Sequence, residues 1–264
     1  MSADGISEGL SISNVVVRFG HGVAASNALD SVSMKVGRGR TVGLVGESGS
    51  GKSTLAKAVV GIVPIDSGTI AFDGRDVKSR DRKLRAHLLR KIQMIPQDPY
   101  SSLSPRRTIG QTLAEAISPT RASVSAHRDR IVSALESVVL KAETIDSYPH
   151  QLSGGQRQRV AIARALVVEP ELIIADEITS ALDVSAQAEV LELISSLREQ
   201  LDLTMLFISH NLAVVKQVSD DVVVLYRGSV MEAAPAEQLF NDPQHEYTRL
   251  LLDAVPGSST FSLS

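Results

Sequence analysis

The sequence predicts an α/β protein with a mainly parallel sheet. Three observations lead there. The apolar run Thr41-Val42-Gly43-Leu44-Val45 feeds a glycine-rich loop, and a helical pattern follows it. A second run, Leu172-Ile173-Ile174-Ala175, is apolar throughout, as in a strand covered on both faces. Between and after these runs, short apolar strands alternate with stretches of helical period.

Taken in order, Leu10 to Phe72 reads as short strands broken by glycines, with Val15-Val16-Val17, Val32 to Val36 and Thr69 to Phe72 as the best candidates. Phe19, one of few aromatic residues, follows the first. Its spacing fits equally a base-stacking face and a core residue at a strand end. The loop Gly46-Glu47-Ser48-Gly49-Ser50-Gly51-Lys52-Ser53-Thr54 fills the G-x-x-x-x-G-K-[ST] pattern. Its glycines let several N–H groups converge on phosphate oxygens. Lys52 adds a mobile charge that reaches the outer phosphates, and the Ser53 hydroxyl is placed to ligate a bridging Mg²⁺. Leu55 to Val60 continues as a helix, so the phosphates would lie on a helix N-terminus.

Lys78 to Lys91 is strongly basic and reads best as a solvated helix face, with Leu84, Leu88 and Leu89 turned to the core. Ile92 to Ile95 is a short strand that Pro96-Gln97-Asp98-Pro99 leads out of the sheet. A helical region follows to about Gln151, with Ile109, Leu113 and Ile117 on one face and Ile131, Leu135 and Val138 on another. Leu152-Ser153-Gly154-Gly155-Gln156 then precedes a helix over Arg157 to Val167. Ser153 is a natural N-cap, and the two glycines leave bare N–H groups at the positive end of the dipole, a second anion-binding terminus.

Asp176 and Glu177 end the second apolar run, at the strand end where open α/β sheets bind ligands. Asp176 would hold Mg²⁺ opposite Ser53, and Glu177 would polarise a water. A helix over Val184 to Leu201 follows, with Val190, Ile194, Leu197 and Leu201 on one stripe. Met205 to Ile208 then delivers Ser209-His210 to the same sheet edge, where His210 is placed to sense a γ-phosphate. Val222 to Leu225 is one more strand, and Gly228 turns the chain.

The chain has 264 residues, 43% of them apolar and 22% charged, as in an ordinary soluble globular protein. A formal net charge of -3 gives no electrostatic case for nucleic acid as partner. With no cysteine, disulfides, Cys-ligated zinc and iron–sulfur clusters are excluded. Met1 to Asp30 lacks an apolar core and reads as neither signal peptide nor membrane span. The expectation is a cytosolic protein, or one that sits on a membrane only through a partner.

Together these residues resemble an ATP-binding cassette ATPase, in the family's order and over nearly the whole chain. Gly46 to Thr54 looks like Walker A, Gln97 like the Q-loop glutamine, and Leu152 to Gln156 like the LSGGQ signature. Leu172 to Glu177 resembles Walker B with its catalytic glutamate, Ser180 to Asp183 the D-loop, and His210 the switch histidine. The resemblance implies a P-loop NTPase fold with a RecA-like core, an N-terminal antiparallel β subdomain and an inserted α-helical subdomain over about 98–165. It implies ATP and Mg²⁺ as ligands, with Ser53, Gln97 and Asp176 at the metal. Phe19 and the loop would hold the nucleotide. Lys52, Glu177 and His210 would be catalytic, with Glu177 as general base. Ser153, Gly154, Gly155 and Gln156 would complete the site of a partner cassette.

Within that family the likeness is to peptide and nickel import ATPases, through Gln97 to Arg106 and a C-terminal element over about 235–256. That implies a second cassette, two membrane-spanning permeases, an extracytoplasmic solute-binding protein, no nucleic acid, and a place at the cytoplasmic face of the membrane. Nickel, glutathione or another small solute is the alternative cargo. A cassette ATPase of DNA repair or translation would carry a long coiled-coil or zinc insertion, or two cassettes, and a non-hydrolysing regulator would lack Lys52, Glu177 or His210. Four residues depart from the pattern: Pro96, Ile178, Asn211 and Glu246. The end of the chain, 257–264, is expected to be a disordered tail.

Overall fold

The computed structural model describes residues 9–20 and 26–254. By internal contacts the described residues form two compact units, one of those up to Leu89 and from Thr204, the other of Arg90–Leu203. The expected tail lies outside the described residues.

The first unit opens with β1 (Gly9–Phe19) and β2 (Ser26–Gly37), an antiparallel pair with Val17 opposite Leu29 and Phe19 opposite Ser26. Next come β3 (Thr41–Val45), α1 (Lys52–Val59), β4 (Ser67–Phe72) and the two-residue β5 (Arg75–Asp76). The small antiparallel sheet runs β2-β1-β4-β5. Its strands are longer than the apolar triplets suggest, because irregular register around Val15 and a positive φ at Asn14 interrupt the alternation. That is how Val15, Val16 and Val17 are all buried in succession. On α2 (Arg82–Lys91) only Leu88 is buried. Leu84 and Leu89 are half-covered, so the expected three-leucine face reduces to one anchor.

The second unit holds β6 (Ile92–Ile95), α3 (Pro99–Ser102), α4 (Ile109–Ile117), α5 (Arg128–Ser137), α6 (Gly154–Leu166), β7 (Leu172–Asp176) and α7 (Val184–Leu201). β6 and β7 pair in parallel, Met94 opposite Ile174. The two helical faces read from sequence pack as expected, with Ile109, Leu113, Ile131, Leu135 and Val138 fully covered. Thr108 caps α4 in a reciprocal box with Gln111. On α7 the stripe holds at Val190, Ile194 and Leu197 but not at Leu201, which is 52% exposed. Leu201 is the last helical residue, where the Asp202 cap with φ 49° ends the helix beyond the packed surface.

The chain returns to the first unit with β8 (Thr204–Ile208), α8 (Leu212–Val218), β9 (Asp221–Tyr226), β10 (Ser229–Pro235), α9 (Ala236–Asn241) and α10 (Glu246–Asp253). β3 lies between β8 and β9, parallel to both, and β10 closes antiparallel on β9. All five residues of β3 are buried, as are all five of β8. Each such aliphatic side chain contributes about 1.5–3 kcal/mol by burial. This central strand sets the loop that follows it.

Candidate functional site

β3 ends at Val45, and the chain then turns through Gly46, Gly49 and Gly51, all at positive φ. Two of these glycines are forced by close approach. A Cβ on Gly46 would stand 2.1 Å from the Leu225 carbonyl oxygen, and one on Gly51 would stand 2.5 Å from that of Ala28. The loop therefore rests against the end of β9 on one side and against β2 on the other. The Gly228 amide, in the β9–β10 turn, donates to the Ser50 carbonyl at 2.9 Å and completes its floor. Lys52 is 5% exposed. Its ammonium donates to the carbonyls of Gly46 at 2.7 Å and Glu47 at 2.8 Å, so the charge is folded back across the loop. Ser53 and Thr54 stand in the first turn of α1, directly after Lys52.

β8 runs beside β3, Ile208 opposite Leu44, so His210 and Gly46 leave neighbouring strands at one edge. His210 is exposed there. The next residue explains one departure from the family pattern. Asn211 caps α8, its Oδ1 accepting the Ala213 and Val214 amides, a task asparagine and aspartate perform alike. Phe19 is 50% exposed at the end of β1, which settles against the core reading left open by its spacing. It stands opposite Ser26, two residues along β2 from the Ala28 that presses on Gly51.

The carboxylates belong to the second unit. Asp176 ends β7 and is 3% exposed. Glu177 follows with φ 49°, a left-handed conformation that costs a non-glycine residue about 1–2 kcal/mol. It is held in place. Gln97 Nε2 donates to Glu177 Oε2 at 2.9 Å, and the Ser180 hydroxyl donates to the Glu177 carbonyl at 2.9 Å. Ile178, where the family has proline, is buried as an ordinary core side chain.

The signature stretch behaves as its sequence predicts at Ser153 and adds a role for Gln156. The Ser153 hydroxyl accepts the Gln156 amide at 3.2 Å, and Gln156 Oε1 accepts the Ser153 amide at 2.9 Å. The S-x-x-Q spacing carries that signal in the sequence. Added Cβ atoms on Gly154 and Gly155 would make only ordinary contacts, with Leu182 at 3.9 Å and Ala186 at 3.5 Å. An open hollow of about 470 Å³ lies before them, lined also by Asp183, Arg159 and Glu189. Arg159 was not singled out from the sequence. It donates to the Val138 carbonyl at 3.0 Å and to Glu189 at 2.9 Å, tying α6 to α7 and to the end of α5. A second hollow, of about 340 Å³, follows the Gln97 segment and is lined by Gln93, Ser102, Ser104, Thr112, Glu115 and Arg164. Burial pulls the Arg164 guanidinium below its ordinary value, while Glu115 opposes that shift.

Among the described residues, no three His, Cys, Asp or Glu side chains cluster to hold a metal. No helix among them is long and apolar enough to cross a membrane.

Each unit carries one mark of a nucleotide hydrolase: the first a glycine-rich loop after a strand with parallel neighbours, the second a carboxylate pair ending a parallel strand. The family model described as ABC transporter matches residues 29–180. The chain belongs to that family, and it is an ATP-hydrolysing cassette. A Brucella ovis protein whose name describes peptide import and ATP binding is 50% identical over 88% of this chain and 74% of its own. The dipeptide transport ATP-binding protein DppF of Haemophilus influenzae is 46% identical over 87% and 70%. Among solved structures, the dimeric bacterial ABC transporter cassette MJ0796 superposes with a TM-score of 0.75 at 27% identity, over 86% of this chain and 98% of that one. A further structure of MJ0796, bound to ADP and phosphate in a post-hydrolysis state, gives a TM-score of 0.73 at 27% identity, over 86% and 98%.

Proposed function

We propose that this chain is the ATP-binding and hydrolysing subunit of a peptide importer. The observation that supports the cargo is the agreement of relatives at 43–50% identity, whose names describe peptide, dipeptide or oligopeptide transport. Nickel, glutathione and other small solutes are the alternative cargo.

In this reading the N–H groups of Gly49 to Thr54 bind the phosphates, and Lys52 leaves the Gly46 and Glu47 carbonyls to pair with them. Phe19 stacks on the adenine. Mg²⁺ supplies charge neutralisation of the β- and γ-phosphates. The oxygen donors Ser53, Gln97 and Asp176 suit that hard cation. Glu177 takes the proton of the attacking water once Gln97 releases its carboxylate, and His210 senses the γ-phosphate. Ser153, Gly154, Gly155 and Gln156 serve the site of a second cassette. The hollow around Arg164 receives a segment of one of two permeases, and an extracytoplasmic binding protein delivers the solute. The cassette thereby sits on the cytoplasmic face of the membrane.

The test is a pulldown of tagged Glu177→Gln protein from membranes with ATP and Mg²⁺. Two multispanning permeases and a second cassette are the expected companions. Recovery with ribosomes, DNA or only itself would overturn the transport reading. The same variant should turn over ATP roughly 10²–10⁴-fold more slowly while still binding it.

A further inference from the structure

The C-terminal segment reaches the phosphate loop. Glu232 on β10 accepts the amides of Gln244 at 2.9 Å and His245 at 3.0 Å, which fixes where α10 begins. His245 Nδ1 then caps the helix by accepting the Tyr247 amide. Glu246, the departure from the peptide-importer C-terminal element, occupies the first helical position, which suits an acid as well as a proline. So fixed, Tyr247 lays its ring on Tyr226, with centroids 4.2 Å apart. Tyr226 is the last residue of β9, next to the Leu225 carbonyl that crowds Gly46.

The Tyr247 hydroxyl is fully covered and makes no hydrogen bond of good geometry. Its ring lies on Tyr226, whose neighbour Leu225 crowds Gly46, and from there Glu47, the second residue of the phosphate loop, acts on the hydroxyl electrostatically. Burial raises its pKa, the Glu47 amide N–H works against that, and the Glu47 carboxylate and Tyr226 add to the rise. A covered hydroxyl with an unfinished bond costs stability until the bond forms. Lys52 holds the same residue through the Glu47 carbonyl, at 2.8 Å.

We propose that Tyr247 is a positioning residue for the phosphate loop. When phosphate draws Lys52 off the Glu47 carbonyl, Glu47 settles onto the Tyr247 hydroxyl, and the loop is held in its binding shape from the side opposite the nucleotide. The C-terminal segment thereby sets nucleotide affinity through a contact that touches no substrate atom. Pre-ordering of this kind lowers the entropy lost on binding. The inference rests on the phosphate loop being the ATP site.

The experiment is a titration of the full chain with a fluorescent ATP analogue and Mg²⁺, alongside ATPase kinetics. Tyr247→Phe removes one hydrogen bond and should weaken affinity and raise KM roughly three- to tenfold, with kcat spared. A purely structural role would lower active protein and kcat instead. Glu47→Ala should weaken binding similarly, and the double variant should be no weaker than Glu47→Ala alone. Additive losses, or unchanged affinity in Tyr247→Phe while Lys52→Ala abolishes binding, would overturn this proposal alone. Full binding by Lys52→Ala would overturn both it and the phosphate-loop assignment.

Discussion

Replacing Glu232 by alanine removes the carboxylate that accepts two main-chain amides, from Gln244 and His245. Hydrogen bonds to a charged acceptor contribute about 1.5–3 kcal/mol each where water is excluded. Glu232 is only half-covered, so screening reduces the pair to about 1–2 kcal/mol together. The loss falls on the segment from Asp242 to Asp253 and not on the sheets. Amide exchange over Tyr247–Leu251 should therefore quicken by roughly 5–30-fold. Peptides from β7 and α6 should keep their wild-type rates. Acid makes the same cut. Burial pushes the Glu232 carboxyl up, but the Thr248 hydroxyl, the two amides and His245 outweigh it and hold the value below the ordinary 4.5. A depressed folded value means the stabilisation is complete above pH 4.5 and fades as pH falls through that lower value. After correction for intrinsic rates, wild-type exchange in this segment should rise there, and Glu232→Ala should lack that step. Equal acceleration everywhere, or none, would refute the reasoning.

Gly51→Ala places a methyl group 2.5 Å from the Ala28 carbonyl at a φ of 108°, so the loop must shift bodily. Binding of ATP should fall by at least tenfold in a nucleotide titration, with the melting temperature also lowered. Ser153→Ala removes the cap of α6 and should cost about 1 kcal/mol in denaturant unfolding, while Ser153→Asp should restore most of it.

Local signals carried most of what the sequence foretold. β3 and the loop after it, β6, and the bounds of α7 are written in apolar runs and punctuation that act over a few residues. Ser153 was legible as a cap for the same reason. The reciprocal half of its box, Gln156, was equally legible through the S-x-x-Q spacing. Phe19 shows the limit of spacing, because a strand-end phenylalanine looks alike whether covered or bare. Leucines on α2 show another, since a helical period does not say how much of the face finds a partner. Tyr247 meeting Glu47 was out of reach. The two lie near opposite ends of the numbering, and the stacking of Tyr247 on Tyr226 at the end of β9 brings α10 towards the loop. Gln97 bonding Glu177 belongs to the same class, joined across 80 residues by parallel pairing of β6 and β7.

The central place of β3 bears on how the protein comes into being. Its two flanking strands, β8 and β9, are translated long after it; the bonds from Gly39 to Thr204 and from Thr41 to Asp220 span 165 and 179 residues. A ribosome-bound chain that has just emitted the phosphate loop holds a glycine-rich hook on an unpaired apolar strand. Such distant pairing forms slowly and leaves sticky edges exposed meanwhile. Arrested nascent chains ending before Thr204 should therefore fail to retain on an ATP resin. That result would mean that the ability to hold nucleotide arrives only once β8 and β9 have joined β3.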